Sequence, residues 1–122
     1  MTEESKQSTL AQVSNAMVAL HKEQFGRGPT KARSDFAGRD VLVCTLEDIL
    51  LPAEVKMASM GEQKGVRDTR TSFQAATAPE FISVVETITQ RKVRAFASGI
   101  DVENSTAFET FQFESIGDDG TG

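Results

Sequence analysis

The sequence predicts a two-layer α+β domain, with helices on one face of an antiparallel sheet and the order α-β-β-α-α-β-β. Three observations carry that prediction. Apolar residues recur at three- and four-residue steps near the start and again in the middle of the chain. Two pairs of short strand-like stretches are each joined by a few turn-forming residues, which makes them hairpins with antiparallel strands. The helical stretches lie before and between the hairpins, so they cover one face of the sheet.

Residues 1–7 are polar and predict a flexible start. Leu10, Val13, Met17 and Leu20, with Ala16 beside them, form one face of an amphipathic helix over 8–25. Ser5 or Ser8 is a candidate cap, and Gly26 reads as the glycine that ends the helix. Gly28-Pro29 breaks the chain again. Strands follow over 30–36 and 40–47, with Ala37-Gly38-Arg39 as the turn between them. The second strand is apolar on both faces, with Val41 and Val43 on one and Leu42, Cys44 and Leu46 on the other. That pattern suits a central strand covered on at least one side by helices.

Pro52 fits a first helical turn and Glu54 the positive end of its dipole, although Leu51 is a poor cap. A short helix is expected over 52–60, ending at Gly61. From residue 63, Val66, Arg70, Phe73 and Thr77 share a stripe, and Pro79 precedes Phe81, Val84, Val85 and Ile88. One kinked helix over 63–90 and two abutting helices both fit. Residues 92–98 read as a strand with Val93, Ala95 and Ala97 on one face, and 107–114 as another with Phe111 and Phe113 on one face. The single domain thus spans 8–114, and residues 115–122 read as a disordered acidic, glycine-containing tail.

A chain of 122 residues with 39% apolar and 25% charged residues can bury a core without disulfides or metals. Eight Phe supply the bulk, and Trp and Tyr are absent. Interfacial anchors and base-stacking tyrosines are therefore missing. A net charge of −5 argues against a nucleic-acid partner. Cys44 is the only cysteine, which fits a reducing compartment. The start lacks an apolar signal region, and no apolar run approaches membrane-spanning length. The expected location is therefore cytoplasmic, with peripheral contact at the inner face of the membrane as a further expectation.

One His and one Cys cannot build a zinc site of the usual Cys/His kind, so no metal is expected. Glu47-Asp48 is a weak carboxylate signal, because adjacent strand residues point to opposite faces. Cys44 sits mid-strand and reads as a small buried hydrophobe. His21 flanks the first helical stripe, either as a pH-sensitive contact or as a surface histidine at the core edge. No P-loop, dinucleotide fingerprint or nucleophile elbow is present, so neither a catalytic role nor a cofactor is expected. One constellation remains: Arg27, Lys31, Arg33 and Arg39, set beside Gly28 and Pro29. Lys31 and Arg33 project from one strand face, and Asp35 follows them there. Arginine forks suit carboxylate or phosphate, so the group is a candidate site for an anion or an acidic partner. The alternative is a solvated strand edge whose charges block aggregation. A second set, Arg67, Arg70, Arg91 and Lys92, is expected to form ordinary surface pairs.

The blocks HKEQFGRGPTKAR, LPAE, GVRDTRTSF and PEFISVVETIT-x-RKV-x-AF, closing on F-E-T-F-Q-F, occur in order over residues 8–114. Together they resemble the MpsC-like family of small bacterial domains. The resemblance implies a link to a cation-translocating, membrane-potential-generating system that is also associated with bicarbonate uptake, and it implies no enzymatic activity. Two positions depart from the family pattern. Leu51 stands where the family has Thr, and Gln90 where it has Gly before R-K-V. The function expected from the resemblance is a non-enzymatic accessory or regulatory domain working with transporter subunits. A small-anion or nucleotide sensor is the alternative, and a nucleic-acid-binding module a weaker one. A homodimer is also compatible with the sequence.

Overall fold

The computed structural model describes residues 2–115. Its elements follow the predicted order: α1 (Glu3–Phe25), β1 (Lys31–Phe36), β2 (Val41–Glu47), α2 (Pro52–Ser59), α3 (Gln63–Thr89), β3 (Val93–Asp101) and β4 (Thr106–Phe113). The sheet has the strand order β1-β2-β4-β3, and every pair is antiparallel.

Helix α1 begins earlier than its apolar stripe. Thr2 caps it, accepting the Ser5 amide at 3.0 Å, so neither Ser5 nor Ser8 is the cap. Residues 3–7 are therefore part of α1, which begins before the expected start at residue 8. Gly26 closes α1 in the left-handed conformation at φ 79°, as its position predicted. The expected tail over 115–122 lies, apart from residue 115, outside the described residues.

The hairpin β1–β2 pairs Lys31 with Glu47 and Phe36 with Leu42. β2 is central, and its Leu42, Cys44 and Leu46 are fully buried. They lie opposite Phe111, Glu109 and Ala107 of β4 in the ladder. Helix α1 packs over β1 and β2, and α3 packs over β3 and against α1. Leu10, Val13 and Met17 of α1 and Val66, Phe81 and Val85 of α3 complete the core.

Pro79 lies inside α3, and the helix runs through it from Gln63 to Thr89 as one element. Proline has no N–H to offer the Ala75 carbonyl, and its exposed position lets the helix continue. β3 departs from strict alternation. The register slips between Val93 and Ala95, so Val93 and Phe96 both pack on the core. The expected face of Val93, Ala95 and Ala97 is therefore split, and Phe96 and Ile100 take the inward positions.

Two local features follow from the sequence's unusual residues. Gln90 ends α3 at φ 57°, a conformation that costs a residue with a Cβ about 1 kcal/mol. Its side chain recovers part of this by donating to the Thr87 carbonyl at 2.7 Å. Gln90→Gly is therefore expected to raise stability by about 0.5–1 kcal/mol in chemical denaturation. Cys44 is fully buried, and burial pushes its thiol up to about 11. Native protein is thus expected to react with thiol reagents only as fast as it unfolds, and Cys44→Ala to cost on the order of 1 kcal/mol. Rapid stoichiometric labelling without denaturant would contradict this.

Candidate functional site

The basic residues singled out by the sequence occupy two ends of the first hairpin. Arg27 precedes β1 and is built into the fold. Its Nη1 donates to the Asp48 and Leu50 carbonyls, each at 2.9 Å, and its Nη2 meets the Asp48 carboxylate at 2.7 Å. It thereby ties the α1–β1 loop to the β2–α2 loop, where Asp48 stands at φ 58°. Gly28 has a packing role. A Cβ there would meet the Val18 carbonyl at 3.0 Å and Val18 Cγ1 at 3.2 Å, so the loop lies directly on α1. Lys31 and Arg33 are exposed on the sheet face opposite the helices, as alternation requires. Lys31 lies across from Glu47, and Arg33 Nη2 is 3.8 Å from Asp35. Arg39 sits in the turn at the far end of the hairpin, where its carbonyl accepts from Arg91. The structure therefore gathers Arg27, Lys31 and Arg33 near one end of the hairpin and sets Arg39 apart from them.

The second basic set is only partly at the surface. Arg70 is buried and bidentate to Glu54, at 2.8 and 2.5 Å, and it also donates to the Ile49 carbonyl at 2.9 Å. Its guanidinium lies 3.8 Å from the Phe25 ring centroid. Glu54 also accepts the Leu51 amide at 2.8 Å, which serves the start of α2 where a Thr cap is missing. Burial alone would raise the Glu54 pKa, but Arg70 and the Leu51 amide outweigh it and hold the pKa down. Arg91 joins Asp40 at 2.5 Å and lies over the Phe113 ring. The expectation of ordinary surface pairs is corrected for both residues.

A buried polar cluster sits beneath the helical layer, and of its members sequence reasoning had singled out His21 and Cys44 but not Gln74 or Glu109. Glu109 of β4 is fully buried. It faces His21 of α1, Gln74 of α3, Cys44 of β2 and Ser98 of β3. Gln74 donates to Glu109 Oε2 at 2.8 Å. His21 is also buried, so of the two readings the sequence allowed the surface histidine is overturned. Its Nδ1 donates to the Met17 carbonyl at 3.0 Å, so the neutral ring turns its Nε2 lone pair toward Glu109 Oε2 at 3.6 Å. Burial lowers the His21 pKa and raises that of Glu109 to about 7, against the opposing pull of Ser98 and Gln74. The pair is thus most stable as two neutral groups. Glu109 Oε1 and Gln74 Oε1 have no partner in a well-formed hydrogen bond.

Beside this cluster a cleft of about 240 Å³ opens between α3 and β3. Gln74 belongs to both, bonding Glu109 on one side and lining the cleft on the other. Among the described residues no group of three or more His, Cys, Asp or Glu is placed to hold a metal ion.

Comparison with known proteins bears on these features together. The family profile described as "Na+-translocating membrane potential-generating system (MpsC)" matches residues 5–115. The chain belongs to the MpsC family. The match covers every helix and strand except the first two residues of α1. No curated protein and no solved structure gives a significant match. Within this MpsC domain no helix among the described residues is long and apolar enough to cross a membrane.

Glu109 provides a direct test of the cluster. The folded chain keeps its proton up to about pH 7, whereas an unperturbed glutamate releases it near 4.5. A raised folded pKa means stability that is present at low pH and lost as pH climbs through this window. His21 acts oppositely, since the unfolded chain takes up a proton below 6.5 that the buried ring resists. Glu109→Gln keeps His21 and removes only the carboxylate. Its stability relative to wild type is expected to grow from pH 4.5 to 7 by on the order of 3 kcal/mol and then level off. Parallel stability curves for the two proteins across that range would show that Glu109 titrates normally.

Proposed function

We propose that this domain is a non-enzymatic accessory subunit of a Na+-translocating, membrane-potential-generating system. The observation that carries this reading is the family match over residues 5–115. The location proposed is the cytoplasmic face of the membrane, in contact with the subunits that conduct the ion.

The contact surface proposed is the face of the sheet that the helices leave open. Phe108 stands 42% exposed at its centre, across from Thr45 of β2 and Gly99 of β3. Val43 lies beside it and is half-buried. Lys31 and Arg33 project from the same face at its β1 edge. An apolar centre with cationic residues at one rim suits a transporter segment that carries an apolar anchor and acidic residues. The neighbouring Glu47 and Asp35 moderate the charge, so the rim would steer orientation more than it would supply affinity. A bicarbonate-linked role would come from the same partner subunits.

The test combines Lys31→Glu with Arg33→Glu, and separately uses Phe108→Glu. Lys31 and Arg33 are exposed, and exposed charges contribute less than about 1 kcal/mol to stability, so the charge reversals should leave folding unchanged, and circular dichroism checks that Phe108→Glu, at a position 42% exposed, keeps the fold. Co-purification with the transporter subunits from native membranes is expected to fall about tenfold with Phe108→Glu, and to become more salt-sensitive with the charge reversals. Undiminished co-purification of both variants would remove this face from the reading.

A further inference from the structure

We propose that the chain forms a two-fold dimer in which the β3 edges of two copies pair antiparallel, joining two four-stranded sheets into one continuous sheet. This inference is independent of the transporter contact proposed above, which uses the open face of the sheet and not its edge.

The strand order β1-β2-β4-β3 leaves two edges, and they differ. The β1 edge is guarded. Lys31, Arg33 and Asp35 alternate along it, all exposed, and such charges keep an edge from recruiting another strand. β3 is longer, at nine residues, and between Ala95 and Ile100 it carries neither a charge nor a proline. A bulge is another common guard. The register slip, however, lies at the start of β3, between Val93 and Ala95, and the ladder is regular from Ala95 to Asp101. Along an edge strand alternate N–H and C=O groups point away from the sheet. Among the described residues no hydrogen bond outside the β3–β4 ladder reaches the main chain between Ala95 and Ile100.

The edge is complementary to a second copy of itself. Antiparallel pairing about a two-fold axis at Ser98 sets Phe96 opposite Ile100 of the second copy, Ala97 opposite its Gly99 and Ala95 opposite its Asp101. Phe96 and Ile100 pack on the core side and are only half-buried in the single chain, so each gains cover from the other. Arg94 precedes Ala95 and reaches Gln112 at 3.5 Å. The pairing brings it beside Asp101 of the second copy, and the axis repeats that contact of opposite charges at the other end. A strand from another protein would need this spacing of charge and apolar bulk by coincidence, whereas a second copy has it by symmetry. The pairing uses both β3 edges and leaves the charged β1 edges outermost, so association stops at two chains.

Light scattering on the full chain is expected to give twice the chain mass of 13.2 kDa, falling to one chain on dilution. In a mixture of isotope-labelled and unlabelled chains, intermolecular NOEs are expected between Phe96 of one chain and Ile100 of the other. Ala97→Lys sets two like charges beside the axis at an exposed position. It should weaken the dimer about tenfold or more and leave the circular dichroism spectrum unchanged. Arg94→Glu should weaken it several-fold at low salt and less at high salt. Phe108→Glu, on the open face, should leave the dimer intact. The NOE decides the matter if Ala97→Lys fails to fold. Four results would each overturn the proposal: a monomer at every concentration, a dimer without the Phe96–Ile100 NOE, a dimer undiminished by Ala97→Lys, or a dimer that Phe108→Glu dissociates.

Discussion

The fold depends on a one-sided sheet. Helices α1 and α3 pack on the face that carries Leu42, Cys44 and Leu46 of β2 and Ala107, Phe111 and Phe113 of β4, and α2 packs against α3. Burying apolar area of this kind is the main driving term for so small a domain. The other face then stays open and can carry Lys31, Arg33 and Phe108 without disturbing the core. The inward position at the middle of β4 belongs to Glu109, in register with Cys44, and alternation leaves that side chain no route to solvent.

That single buried carboxylate organises the polar interior. His21 and Gln74 reach it from two different helices, and both are themselves buried. Buried polar groups of this kind add specificity of arrangement more readily than stability. Arg70, one turn before Gln74 on α3, does the equivalent work at the start of α2 by taking up Glu54. The two interactions hold α3 against α1 at one level and against α2 at another. Between them the small residues of α3 leave the cleft against β3.

The family assignment and the geometry meet at different points of the molecule. The family match ties the whole domain to a membrane-potential-generating system. The partner surface proposed is the sheet face that the helices leave open. The cleft between α3 and β3 lies on the opposite, helix-covered side of the sheet.

Periodicity alone was enough to read the element order, the first hairpin and the central place of β2, because side-chain alternation and helical spacing are local properties. The buried state of Cys44 followed in the same way. The start of α1 was missed because a single capping threonine outweighed a polar run. The continuity of α3 through Pro79 was undecided because it rests on what surrounds the proline. The basic constellation was visible as a cluster in sequence, but Arg27 proved to be a loop clamp and Arg39 lies at the other end of the hairpin. The Glu109 cluster was invisible for a further reason. His21, Gln74 and Glu109 are far apart in the chain, and each reads as a surface residue by type. The apolar faces of α1, β2 and β4 could be read from the sequence, since these depend on each residue and its near neighbours, but not that of β3, where the register slips between Val93 and Ala95. Only the tertiary structure decided which polar residues are enclosed, since that depends on how the helices lie across the sheet.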